Sequence, residues 1–214
     1  MKYLLLTLLL ASCTEAPLST PAPVEPVEEA PITEPPVEVD TYYASWPKKE
    51  WSIMLAKALD LYGKEMLVVA PKDFKAYCNA DFSKLSIYQK KQFYVALFSG
   101  LAKFESSYNP KATYKEGFND VSGKPVISAG LLQLSIESGN SYGCKLKKTE
   151  DLFDPATNLE CGVRIANRWV GQRDLVIASQ QSPWKGMSRY WSPFRKVDRK
   201  ASMAKQTKAL SFCK

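Results

Sequence analysis

Glu105 is the residue of this chain whose position is hardest to explain by solubility alone. It follows Leu101 by four residues and Phe98 by seven, so a helix through this stretch projects it from the apolar face. Burial disfavours the charged carboxylate, and the negative end of the helix dipole acts the same way, so both raise its pKa. A carboxyl that is protonated near neutral pH yet able to lose its proton is what a general acid for a glycosidic oxygen requires. The competing use is a helix-end glutamate turned to solvent or paired with Lys103 or Lys111. The chain has no histidine, which removes Ser-His-Asp and Cys-His nucleophiles and histidine-ligated zinc. Carboxylates, lysines and tyrosines remain, and neither a paired CxxC spacing nor a glycine-rich phosphate loop points to a metal or cofactor.

Glu105-Ser106-Ser107-Tyr108-Asn109-Pro110 resembles the glutamate-serine-x-aromatic-Asn-Pro motif of the lytic transglycosylase and goose-type lysozyme superfamily, in which the glutamate is catalytic. Ser128-Ala129-Gly130-Leu131-Leu132-Gln133 is similar to that family's serine-x-x-Gly-Leu-x-Gln segment, which lines the sugar cleft. Asp154-Pro155-Ala156-Thr157-Asn158-Leu159, followed by Gly162, resembles its third motif. The three occur in the family's order over roughly 60 residues. The resemblance implies a mainly α, lysozyme-like fold with a small β or loop insertion near the active site. It also implies Glu105 as the catalytic residue, with Ser106, Tyr108, Ser128, Gly130 and Gln133 toward the substrate.

Two of these positions have a local case of their own: Gly130 lets a backbone approach a ligand, and the Gln133 amide offers donor and acceptor. A turn glycine and a surface amide are the plainer uses. Gly162 suits close helix packing, and Asn158 suits capping or bracing a loop. The chain departs from the family at Ile177-Ala178-Ser179-Gln180-Gln181-Ser182, where the family's Ala-Tyr-Asn-x-Gly motif carries a tyrosine that bonds the catalytic glutamate. Tyr190 and Trp191, in a stretch with Trp184 and Phe194, are the candidates for that contact and for a sugar-stacking platform; core packing competes for Trp191.

With Glu105 as the sole carboxylate, the family route is a lytic transglycosylase that cuts peptidoglycan between MurNAc and GlcNAc and leaves a 1,6-anhydro end. A hydrolytic lysozyme of the inverting kind needs a second carboxylate about 6.5 to 9.5 Å away. Glu116 and Asp120 are the candidates for it, and a preference for modified peptidoglycan stays open. An inactive, peptidoglycan-binding lipoprotein is the alternative outside enzymology.

The elements that must position these residues are helical. Trp51, Leu55, Ala58, Leu59, Tyr62 and Met66 predict a helix from Glu50 to Met66. A longer central helix runs from about Ser86 to Ser106 and stops at Asn109-Pro110. Residues 111–127 read as a long loop or small hairpin turning at Ser122-Gly123, and Asp154-Pro155 opens a further helix. Lys196 to Lys208 reads as a basic helix with little apolar face.

The N-terminus adds an address. Residues 1–12 have the charge and short apolar run of a signal peptide, and Leu10-Ala11-Ser12-Cys13 resembles a lipobox that would make Cys13 the lipidated residue. Residues 13–48 read as a disordered Pro/Glu-rich tether, with the folded domain over 49–214. About 30 such residues reach on the order of 90 Å. Thr14 favours the periplasmic face of the outer membrane if the cell is Gram-negative. One base (Lys2) and seven acids lie in the first 40 residues, which leaves 28 basic and 15 acidic residues, a net +13, from residue 41 on. This field suits anionic wall polymers or membrane, and export argues against nucleic acid. About 170 residues make one domain, expected to act as a monomer. In an oxidising compartment its four cysteines allow three pairings. Cys144 with Cys161 closes a local loop, and Cys78 with Cys213 ties down the C-terminus.

Overall fold

The computed structural model describes residues 42–214. The expected signal peptide, the expected lipidation site Cys13 and the expected tether as far as residue 41 lie outside the described residues. Residues 42–48, which composition places in the tether, are part of the fold: Tyr42 and Trp46 are buried. The Tyr43 N–H donates to Gln92 Oε1 (2.8 Å), and Gln92 Nε2 donates back to the Tyr43 carbonyl (2.7 Å). Two buried aromatics outweigh the local composition, so residues 42–48 belong with the folded unit.

The chain is mainly helical. α1 (Lys49–Tyr62) and α2 (Lys64–Val68) replace the single helix expected from Glu50 to Met66. The apolar spacing carries on through both, but the backbone breaks at Gly63, a residue of poor helix propensity. α3 (Ile87–Ser106) opens on a capping box in which Gln89 N–H donates to Ser86 Oγ and Ser86 N–H donates to Gln89 Oε1. Every residue of α3 from Gln92 to Ala102 is buried, so this is a core helix enclosed on all sides rather than a surface helix with one apolar stripe.

A two-stranded antiparallel hairpin follows, β1 (Thr113–Asn119) and β2 (Pro125–Ala129), with Tyr114 opposite Ser128. Its turn is braced by Asp120, whose Oδ1 accepts from the N–H groups of Ser122 (2.9 Å) and Lys124 (2.8 Å). After the short α4 (Ile136–Ser141), α5 (Pro155–Ala166) starts as expected: the Asp154 carboxylate accepts from Thr157 N–H and Pro155 takes the first turn. A π-helical turn, Asn167–Arg173, continues it.

α6 (Val197–Lys208) has little apolar face, yet it docks on α3. Met203 is buried there, its Cγ only 3.0 Å from where a Cβ on Gly100 would lie. Gln206 Nε2 donates to Ser99 Oγ (2.6 Å) and the Ala96 carbonyl (3.0 Å). Polar bonds at a glycine-made groove thus do what an apolar stripe does elsewhere. Both expected disulfides are present, Cys78–Cys213 and Cys144–Cys161.

Candidate active site

The central helix delivers Glu105 to the floor of a cleft of about 760 Å³, whose walls are the β hairpin, the start of α4 and the segment from Arg189 to Arg195. α3 ends one residue later, because Ser107 (φ 51°) and Tyr108 (φ 66°) both adopt the left-handed conformation. Gln133 (φ 49°), at the opposite end of the same framework, does so too. Of the five non-glycine residues with positive φ among the described ones, these three belong to the two motifs around the cleft, while Lys145 and Leu175 lie elsewhere.

The Glu105 carboxyl is half-buried and, among the described residues, neither Lys103 nor Lys111 pairs with it. Its pKa is pushed up to about 7, chiefly because burial strips water from the charged form. The guanidinium of Arg199 opposes this, the negative charge of Glu116 adds to it, and Arg195 opposes it more weakly. The result is a carboxyl that carries its proton at mildly acidic pH and exchanges it near neutrality.

Glu116 lies on β1 and lines the same cleft; its Oε1 accepts from Ser128 Oγ of β2 at 2.5 Å. Two carboxyl groups therefore share one cavity, one half-buried with a raised pKa, the other fixed by a hydroxyl on the neighbouring strand.

Comparison with known families matches residues 85–202 to the transglycosylase SLT domain. The chain belongs to the transglycosylase SLT domain family. Among solved structures it is similar to wild-type Bd0314 DslA (43% identity, covering 81% of this chain and 99% of that one, TM-score 0.76). It is also similar to two glutamate-to-glutamine mutants of that protein, each 45% identical over 78% of this chain and 92% of that one, with TM-scores of 0.73 and 0.71. Comparison with the curated proteins returns no match. The family supports peptidoglycan cleavage of the lytic transglycosylase type, and the fold has the expected lysozyme-like, mainly α form.

Within this SLT domain the expected site residues divide. Glu105, Glu116, Ser128, Gln133 and Tyr190 line the cleft. Gln133 commits its amide nitrogen to the carbonyls of Gly130 (2.9 Å) and Ala112 (3.1 Å), which leaves Oε1 as the acceptor at the wall. Others hold the frame. Ser106 Oγ donates to the Leu131 carbonyl (2.9 Å), tying the end of α3 to the following motif, and the Tyr108 hydroxyl meets Ser45 Oγ (2.8 Å). Gly130 (φ +79°) makes room for its own chain rather than for a ligand: a Cβ there would lie 2.1 Å from the Leu152 carbonyl oxygen and 2.2 Å from Asn158 Nδ2. Asn158, fully buried, accepts from Leu132 N–H (2.9 Å) and donates to the carbonyls of Leu152 and Ala129. Gly162 is close-packed under Leu132.

Three expectations need correction. Asp120 braces the hairpin turn and is not among the residues that line the cleft. Trp191 also borders the cleft, but it is 1% exposed, with its Nε1–H donated to the Leu132 carbonyl (3.0 Å) and its ring edge-on to Phe98, so it packs as core and presents no open face for stacking. The Tyr190 hydroxyl bonds Ser135 and Ser138 instead of supplying the absent tyrosine contact to Glu105.

Sequence reasoning missed Arg195 and Arg199, which come from about ninety residues downstream, and the cleft-lining Tyr114, Phe118 and Glu137. For Tyr114 and Phe118 a signal existed: Tyr114, Glu116 and Phe118 alternate with Lys115 and Gly117, so a strand puts all three on one face.

Proposed function

We propose that the domain cuts the glycan strands of peptidoglycan between MurNAc and GlcNAc, with Glu105 protonating the glycosidic oxygen. The observation that carries this is the half-buried Glu105 carboxyl at the cleft floor, held near pKa 7 by burial. Its proton passes to the leaving oxygen of GlcNAc as the bond to MurNAc C1 breaks.

What then attacks C1 decides the product. Glu116 in the same cleft favours water: its carboxylate takes a proton from the water that adds to C1, and a reducing end forms. An anhydro-forming enzyme needs only one carboxylate and gains nothing from a second that pushes the first further up. Two of the similar DslA structures carry glutamate-to-glutamine substitutions eleven residues apart, the spacing of Glu105 and Glu116 here. The family supports the other reading, in which Glu105 itself removes the proton from the MurNAc C6 hydroxyl and a 1,6-anhydro ring closes without water.

Mass spectrometry of the products released from native and N-deacetylated peptidoglycan by the unmodified chain, Glu105→Gln and Glu116→Gln separates the readings. Reducing ends that vanish with either substitution establish the hydrolase. Anhydro ends that survive Glu116→Gln establish the transglycosylase. No product on either substrate sinks both readings and leaves a wall-binding lipoprotein. Export and lipidation at Cys13 belong to the same proposal, and Cys13→Ser is expected to move the chain from the membrane to the soluble fraction.

A further inference from the structure

Among the described residues four large aromatics are exposed; Tyr43 and Tyr88 line a separate cavity away from Glu105, and the other two sit beside it. Tyr114 and Phe118 are each 62% exposed, lie two residues either side of Glu116 on β1, and line the cleft that holds Glu105. Scattered exposed apolar residues need no explanation, whereas a pair aligned on one strand face beside a carboxylate does. The hairpin has only two strands, so nothing in the fold requires these rings to be aromatic. The register of β1 against β2 shifts between Lys115 and Asn119, yet both rings still line the cleft on either side of Glu116, and fully extended chain over these four residues reaches at most about 13 Å, on the scale of two linked pyranose rings. The axial C–H bonds of a β-linked pyranose give it an apolar face that fits flat on an aromatic ring, while its hydroxyls reach past to polar neighbours. Trp191, which the sequence offers for that task, is buried with its indole N–H already bonded.

We infer that Tyr114 and Phe118 are the sugar-stacking platforms of this cleft, carrying consecutive saccharide units of the glycan strand across the face of β1 so that the bond between them lies over Glu116 and against Glu105. The inference rests on the glycan-cleaving reading above and deepens it by assigning the residues that grip the strand. The hairpin is thus a binding arm, with its grip on β1 and its turn held by Asp120.

The test uses binding, so that it reads out with or without turnover. Full-length chain carrying Glu105→Gln is sedimented with insoluble peptidoglycan, alone and with Tyr114→Ala, Phe118→Ala or Val121→Ser added. Val121 is 93% exposed at the tip of the same hairpin and does not line the cleft. Loss of either ring is expected to weaken binding roughly tenfold, and loss of both more, while Val121→Ser binds as the parent does. The exposed positions leave the fold intact, which unchanged melting verifies. Binding unaltered by both alanine substitutions overturns the inference. Turnover by the unmodified chain is scored separately: an active enzyme with undiminished binding in the alanine variants loses the platforms but keeps the glycan-cleaving reading. If the chain shows no turnover and the parent no binding, both ideas fall.

Discussion

Replacing Glu105 with glutamine should stabilise the protein while abolishing its chemistry, and the size of the gain follows from the site. An unfolded glutamate ionises near its ordinary 4.5, and the folded one near 7. Between those values the folded state holds a proton that the unfolded state has released, so stability falls as pH rises. The full shift of about 2.5 pH units corresponds to roughly 3 kcal/mol above pH 7. Water in the cleft still reaches the half-buried group, so about 2 to 3 kcal/mol is the expected range. Glutamine keeps the shape without the charge and escapes this loss. For a domain of this size about 2–4 °C of melting temperature accompanies each kcal/mol, so Glu105→Gln should melt some 5–10 °C higher at pH 8. The difference should shrink through the window from pH 7 to 4.5 and vanish below it. Parallel thermal melts of the two proteins from pH 4 to 8.5 measure it. Equal melting at pH 8 would refute the claim that burial destabilises the ionised Glu105, and with it the account of its acid role.

Glycan cleavage should decline as pH rises through about 7 if the proposed role of Glu105 as proton donor holds, since its carboxyl loses its proton there. Titration of the Glu105 carboxyl by NMR should show its midpoint falling in Glu116→Gln, which removes a repelling charge, and rising in Arg199→Met, which removes an attracting one. Gly130→Ala should cost more than about 3 kcal/mol or prevent folding, since the added methyl meets the Leu152 carbonyl at a positive φ; denaturant unfolding reads this. Asn158→Ala takes the side-chain partner from the Leu132 N–H and the Leu152 carbonyl, while the Ala129 carbonyl keeps the Leu134 N–H, and should cost about 2–3 kcal/mol by the same assay, with a fall in activity as the segment from Gly130 to Gln133 loosens. Opening Cys78–Cys213, which spans 135 residues, should destabilise by about 5 kcal/mol against about 3 for Cys144–Cys161, which spans 17, as paired serine variants would show.

The helices were legible where local chemistry and tertiary packing ask for the same residues. Asp154 with Pro155 marks a helix start within a few residues and appears as read, and the central helix begins at the expected Ser86, where a capping box with Gln89 that was not read from the sequence fixes it. Glu105 was legible because a carboxylate on an apolar face is a local contradiction. What could not be read depends on partners distant in the chain. Trp191 has the same letter whether it stacks on sugar or fills the core, and only the Leu132 carbonyl and the Phe98 ring decide. Arg199 reaches Glu105 only because α6 folds back on α3, and Arg195 because the short turn Ser192–Arg195 ahead of α6 packs there too. The motif residues Ser106, Tyr108 and Gly130 are framework rather than cleft wall, a difference that spacing alone does not carry. The hairpin's alternation was visible, but reading residues 111–127 as a loop or hairpin left its period of two unused.

The short stretch from Tyr42 to Trp46 also has a mechanical meaning. Its bonds run along the central helix, from Gln92 through Ser99 to Tyr108, with Gln206 of α6 closing on Ser45 at 2.9 Å. Tension applied to the chain ahead of this stretch therefore loads the helix that carries Glu105 and, through Ser45 and Tyr108, the left-handed turn behind it. Stripping these few residues away should slacken that turn before the core yields, an early rupture that single-molecule pulling from the N-terminus would register. In such a molecule, load falls on the same helix that carries the cleft carboxyl.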